Sequence, residues 1–410
     1  MKKLRSNQFL VGSLVMVVGS NLYNGGQFIY HFLGGRLLGK AQYGDLAAII
    51  SILGIIGIVM LSVNLTIVKY IATSEKEDDV KNFSRWAHYW ALMIGTALAG
   101  GIIVLTPFLA STLQISDMRA LYLLAPIVFS YILVVVLRSM LQGMMKFHWY
   151  VSSMLVEAAA KILFTIIFVV MGFALFGAVL GTLLGVCASY AIGYYSMRSY
   201  VSGKRGERPA ILPLVKYSIP TFLQGLALTS MYSTDLLLVK HYFSPQEAGL
   251  YAALAILGRV VFFGTMPVTQ VMFPAVAKKH AANLPYYMIL GLSIILILSF
   301  SLVITFGYAI VPTIPLGVLY GTSYLDGAPL LPWFAVFMGL LALCANQIQF
   351  YLSIGKVKII GVFLVASVVQ IAGIMAYHDS LLTVIQVSIA TAALLLTTLF
   401  IYFAYHVKSH

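Results

Sequence analysis

The sequence predicts an all-α polytopic membrane protein, with about twelve transmembrane helices arranged as two pseudo-symmetric six-helix lobes. Three observations carry this. Of 410 residues, 61% are hydrophobic and only 9% are charged, whereas a soluble domain carries about 25% charged residues to wet its surface. Apolar stretches near the ~20 residues that a bilayer-spanning helix needs recur from end to end. Lysine and arginine sit at the ends of those stretches and favour alternate loops, as orientation signals do.

In chain order, the first six spans fall over 9–36, 46–71, 87–111, 120–145, 150–173 and 176–198. The second six fall over 214–240, 247–275, 284–309, 329–354, 357–376 and 381–405. The breaks between them are polar or charged. Gly39 to Asp45 reads as a polar turn, Ser74 to Asp79 as a solvated charge run, and Ser202 to Pro209 as the most basic loop. Mean hydropathy is +0.97. The first apolar stretch is too long for the core of a cleaved signal peptide. With the N-terminus inside, 17 of the 25 Lys and Arg residues fall on cytoplasmic segments. Only Arg36, Lys40, Arg119 and Lys240 fall on outer ones, and Lys69, Arg138, Lys161 and Arg259 lie within spans. This split requires an even number of spans, with both termini cytoplasmic.

The chain also repeats at half its length. Tyr43-Gly44-Asp45-Leu46-Ala47-Ala48 opens the second span, and Ala248-Gly249-Leu250-Tyr251-Ala252-Ala253 opens the eighth. The expected organisation is a lobe over 1–200, a basic cytoplasmic linker over 201–213 and a second lobe over 214–410. An even number of spans per lobe makes the repeats parallel.

Several function classes are excluded. The net charge of +13 does not mark a nucleic-acid binder, because the basic residues are scattered over span ends. No HExxH, GxSxG, P-loop or paired-histidine spacing occurs, so neither an enzyme nor a metal or other cofactor is expected. Cys187 and Cys344 lie inside apolar spans and read as small buried residues.

Two motifs resemble those of the polysaccharide transporter family, the O-antigen Wzx-type flippases for lipid-linked oligosaccharides, within the multidrug/oligosaccharidyl-lipid/polysaccharide exporter superfamily. Leu33-Gly34-Gly35-Arg36-Leu37-Leu38-Gly39-Lys40-Ala41-Gln42-Tyr43-Gly44 is similar to that family's turn after the first span. Leu319-Tyr320-Gly321-Thr322-Ser323-Tyr324-Leu325-Asp326-Gly327-Ala328-Pro329-Leu330 is similar to its segment between the ninth and tenth spans, and Phe243 to Tyr251 is similar too. The resemblance implies two lobes forming a V around a central cavity, and alternating access. It also implies a lipid-linked glycan as cargo, with membrane lipids and polysaccharide-assembly proteins as partners.

Polar residues within the spans are the site candidates, since each needs a partner or water. Arg138 lies about 12 Å along its helix from Lys146. Glu157 and Lys161, four apart, share a helix face at a similar depth. Arg138, Glu157 and Lys161 read either as a structural ion-pair group or as an anion site of net charge +1. Arg259 has no acid near it in sequence. Asp235 is placed either to neutralise Arg259 or to bind a coupling proton or sodium ion. Asn21, Asn24 and Gln27 form a polar stripe beside Gly25-Gly26, which would ease a bend, and Gln224 lies in the matching span of the second half. The function expected is a flippase for a lipid-linked anionic oligosaccharide in the cytoplasmic membrane. The alternatives are a multidrug exporter of the same superfamily, a membrane-embedded glycosyltransferase or polymerase, and a membrane scaffold.

Overall fold

The computed structural model describes residues 2–74, 76–203 and 212–408. Most of the basic linker expected over 201–213 lies outside the described residues. Every regular element among the described residues is helical. Among the described residues, ten helical stretches are long and apolar enough to cross a membrane. The protein divides into two compact units, Met1–Phe222 and Leu223–His410.

Unit 1 begins with α1 (Lys2–Thr73) and α2 (Glu77–Thr112), followed by the short α3 (Met118–Tyr122), then α4 (Leu124–Gly143), α5 (Phe147–Phe168) and α6 (Ala174–Val201). α1 is continuous except at Gly39, where φ is 71° and ψ is 171°. The polar turn expected over Gly39 to Asp45 is therefore a single left-handed residue, a conformation that glycine adopts without penalty. The chain folds back there, so Gly34 packs against Tyr43 and Leu46. The Tyr43 hydroxyl and His31 Nδ1 are 3.3 Å apart. The motif residues thus form a corner. No break occurs at Gly25-Gly26. Glu77, Asp78 and Asp79 form the first turn of α2 rather than a loop, because carboxylates stabilise a helix N-terminus. α5 and α6 join through a five-residue π-helical turn, Val169–Phe173, with Gly172 at φ 92°.

Unit 2 holds α8 (Pro245–Ala281), α9 (Tyr287–Ile310), α10 (Thr313–Leu319), α11 (Leu331–Ser353), α12 (Ile360–Ala376) and α13 (Leu381–Lys408), together with the greater part of α7 (Leu212–Tyr242). α8 starts with Pro245 in its first turn, on a capping box in which Ser244 and Glu247 satisfy each other's backbone N–H, as such sequences do. The stretch before α11 is a 3₁₀ helix, Thr322–Leu330. It buries Tyr324 and sets Gly327 against Leu250 and Leu254 of α8. α11 is the central helix of the unit, packing on α8, α9 and α13.

Three expectations are corrected. Cys187 is exposed rather than buried, and both cysteines are free. Lys240, counted with an outer loop, is buried in the last turn of α7. The stripe of Asn21, Asn24 and Gln27 is split. Asn21 and Asn24 are exposed while Gln27 turns inward, because the three span about 120° of helix surface at 100° per residue.

Candidate functional site

Unit 1 brings its candidate charges together through two ladders of four-residue spacing. On α5, Ser153, Glu157, Lys161 and Thr165 follow one another on one face; on α6, Gly177, Gly181, Gly185 and Ser189 do the same. Residues four apart stack on one side of a helix. The glycines let the helices approach until backbone meets side chain. Gly177 packs on Phe168, Gly181 on Thr165, and Gly185 on Glu157 and Lys161. A Cβ at Gly185 would lie 2.8 Å from the Glu157 carbonyl oxygen. Close approach through small residues is how helices associate in a bilayer, where lipid offers no hydrophobic driving force.

Arg138 of α4 enters this ladder. Its Nε donates to Ser153 Oγ at 3.0 Å. Its Nη2 donates to Glu157 Oε2 at 2.8 Å and to Ser189 Oγ at 2.9 Å. The other Glu157 oxygen accepts from the Tyr23 hydroxyl of α1 at 2.8 Å. Arg138 and Glu157 are thus a buried, hydrogen-bonded ion pair that ties α1, α4, α5 and α6. Lys161 sits apart from it. Its Nζ donates to Gln27 Oε1 at 3.0 Å and lies 3.7 Å from the centre of the Tyr30 ring, a cation–π distance. Tyr30 is held by the Ala178 carbonyl and Thr182. Among the described residues no carboxylate pairs with Lys161, so this buried cluster carries one surplus positive charge.

In unit 2 the pairing of Asp235 with Arg259 that the sequence allowed is not made. Asp235 is 1% exposed. It accepts from the Tyr251 hydroxyl at 2.8 Å and from the Leu236 N–H at 2.8 Å. Arg259, half-buried, donates to the Tyr232 carbonyl oxygen, and its guanidinium lies 5.3 Å from the Tyr232 ring centre. Arg259 Nε is buried without an acceptor among the described residues. Gln224 lies elsewhere in the unit. It lines a cavity of about 40 Å³ with Thr265, Thr269 and Gln349. In unit 1 a larger cavity of about 390 Å³ between α1, α2 and α4 is walled almost wholly by apolar side chains such as Trp86, Trp90 and Ile132. Among the described residues no cluster of three or more His, Cys, Asp or Glu residues could hold a metal.

Sequence reasoning missed the tyrosines Tyr23, Tyr30 and Tyr251, and the serines Ser153 and Ser189; Tyr232 lies with Gln224 in the polar span that the sequence does single out. The serines were recoverable from the four-residue ladders. The tyrosines carried no signal, since any of the 25 in the chain could have met a polar partner.

Residues 9–280 match the model of a family described as polysaccharide biosynthesis protein. The chain belongs to that family. A relative, an uncharacterized membrane protein of Methanocaldococcus jannaschii, is 23% identical over 362 residues, covering 82% of this chain and 83% of the relative. Two solved structures are similar to this family member in fold. An inward-facing multidrug resistance MATE transporter of the MOP superfamily aligns over 93% of this chain and 96% of its own, with a TM-score of 0.81 and 12% identity. The lipid II flippase MurJ, in an inward closed conformation, aligns over 96% and 87%, with a TM-score of 0.75 and 16% identity. This member of the polysaccharide biosynthesis family is therefore a multi-pass membrane protein with the fold of membrane transporters, not that of an enzyme.

Proposed function

We propose that the protein is a flippase that carries a lipid-linked, anionic oligosaccharide, an O-antigen-type polysaccharide precursor, across the cytoplasmic membrane by alternating access. In this reading the two long helical runs count as two spans each, divided at Gly39 and Gly172, which makes twelve spans in two lobes with both termini cytoplasmic. The family's description supports a role in polysaccharide assembly. The similar fold of a flippase for lipid II supports a lipid-linked cargo.

One observation carries the reading. Each unit holds within its helices a cation that forms no ion pair with a carboxylate among the described residues: Lys161 in unit 1 and Arg259 in unit 2. Each lies about 21 Å from the start of its helix, where an unpaired charge is expensive unless it meets water or an anionic ligand. The guanidinium of Arg259 suits a phosphate, because its planar fork binds two oxygens at once. The exposed amides of Asn21 and Asn24 offer hydrogen bonds to glycan hydroxyls, and Gln27 holds Lys161. Arg138 and Glu157 act as positioning residues: their hydrogen bonds are spent on each other, on Ser153, on Ser189 and on Tyr23. Asp235, buried against Tyr251, is the candidate for coupling to a proton or sodium gradient.

Complementation of a strain that lacks its own flippase, with protein level measured in parallel, tests the proposal. Lys161→Met and Arg259→Ala are expected to cut transport at least about tenfold, the effect of one lost charge-assisted hydrogen bond, at unchanged protein level. Arg259→Lys should restore part of it, because charge survives while the fork is lost. Full activity in the Lys161→Met/Arg259→Ala double variant would overturn an anionic cargo. Selective export of cationic drugs by that variant would favour the multidrug alternative.

A further inference from the structure

Unit 2 contains a small, mainly apolar cavity with four polar side chains and no charge on its walls. Gln224 of α7 is only 6% exposed, and its amide makes no hydrogen bond among the described residues. It lines the cavity of about 40 Å³ together with Gln349 of α11, whose amide is likewise without a partner. Leaving a buried amide unpaired costs free energy. Gln349 is half-buried, so the two amides face one hollow with hydrogen-bonding capacity that a ligand entering it can meet. Thr265 and Thr269 complete the polar lining. Their hydroxyls donate to the Phe262 carbonyl at 2.8 Å and to Asn346 Oδ1 at 3.2 Å, which leaves their oxygen lone pairs able to accept. Leu228, Phe262, Met266, Ala342 and Ala345 supply the apolar walls.

No carboxylate, ammonium or guanidinium lines this cavity, so a charged group entering it would lose its hydration without compensation. A neutral group that both donates and accepts hydrogen bonds matches two amides and two hydroxyls. The volume admits a single substituent, not a sugar ring. Arg259 stands one turn from Phe262 on α8, with Thr265 about 9 Å along the helix axis from Arg259.

We infer that this cavity reads a neutral hydrogen-bonding substituent, a hydroxyl, hydroxymethyl or acetamido group, on the sugar next to the phosphate of the cargo. Gln224 and Gln349 are its specificity-determining residues. The inference rests on the anionic, glycan-bearing cargo proposed above, with Arg259 holding the phosphate. Phosphate and substituent are then read side by side along one helix, the first for charge and the second for the identity of the sugar.

The test uses the full-length protein in nanodiscs and two probes, a polyprenyl pyrophosphate without sugar and the same lipid bearing N-acetylglucosamine. Affinities are measured by titration, and thermal unfolding of each variant is recorded. Gln224→Leu and Gln349→Leu are each expected to weaken the sugar-bearing probe about tenfold, the effect of one or two lost hydrogen bonds, and to leave the sugar-free probe unchanged. Arg259→Ala should weaken both. Ala345→Leu, which fills the cavity from α11 and removes no amide, should reproduce the selective loss and serves if a glutamine variant fails to fold. If Arg259→Ala weakens both probes but the advantage of the sugar survives in Gln224→Leu and Ala345→Leu, the cavity holds water only and this inference falls alone. If Arg259→Ala weakens neither probe, the anionic-cargo reading falls first.

Discussion

In unit 1 the bundle of α4, α5 and α6 buries a guanidinium, a carboxylate and an ammonium. In unit 2 the helices at the corresponding point in chain order, α11, α12 and α13, bury amides and hydroxyls instead. Gln370 donates to the Met231 carbonyl and to Ser388, and Asn346 donates to Ser293. The difference extends to the backbone. The α5–α6 contact is lined by three glycines in a ladder, whereas at the α12–α13 contact Gly373 meets only the side-chain end of Val387. An ion pair out of water is retained only when every remaining lone pair and proton is matched within hydrogen-bond distance, and the glycine ladder allows that approach. Neutral groups tolerate a looser fit. The two units therefore place their charge differently: unit 1 in its α4–α5–α6 core, unit 2 on α7 and α8.

The largest effect that would break this comparison is loss of the unit 1 ion pair. Glu157→Gln is expected to lower stability by about 3–5 kcal/mol, because Arg138 is left buried without its counter-charge. Adding Arg138→Gln should recover part of the loss. Thermal unfolding of the single and double variants in detergent measures this, and strictly additive losses would mean that the two side chains act independently.

A smaller effect should separate the two helix–helix contacts. Gly181→Leu is expected to cost about 1–3 kcal/mol or more, because the new side chain would collide with the Thr165 hydroxyl and with the Thr165 backbone, which cannot rotate away. Gly373→Ala in unit 2 should cost less, since the end of Val387 can rotate away. Equal losses in the two unfolding curves would erase the distinction between tight and loose contacts. The smallest effect sharpens the picture of unit 2. Tyr251→Phe removes one of the two hydrogen bonds to Asp235 and should cost about 1–3 kcal/mol. If Asp235 has a charged partner instead, the same unfolding measurement would show no loss for this variant and a large one for a substitution at that partner.

Much of the architecture was legible because the bilayer imposes it. Apolar runs and the placement of Lys and Arg report spans directly. Arg138 and Glu157 were placed together from depth alone, since a short hairpin aligns residues equally far from its turn. The fate of Asp235 and Arg259 was not legible. The two carry opposite charges on neighbouring spans, and their separation follows from the Tyr232 carbonyl, which accepts from Arg259, and the Tyr251 hydroxyl, which donates to Asp235; both partners depend on helix rotation. The helix rotation of α1 likewise decided that Gln27 turns to Lys161 while Asn21 and Asn24 stay exposed. The ladders on α5 and α6 were present in the spacing, but glycine and serine recur so often in membrane helices that the pattern read as ordinary packing.

The turn between α5 and α6 has a consequence for how the chain enters the bilayer. No charged or amide residue lies between Lys161 and Arg198, and the tip exposes Val170 and Met171. A hairpin whose loop is apolar has nothing hydrophilic to drag through hydrocarbon during synthesis, so its two arms can slip in sideways as one piece. In the folded unit the glycine face of α6 covers Lys161 and Glu157 on one side, and α1 and α4 meet them from the other.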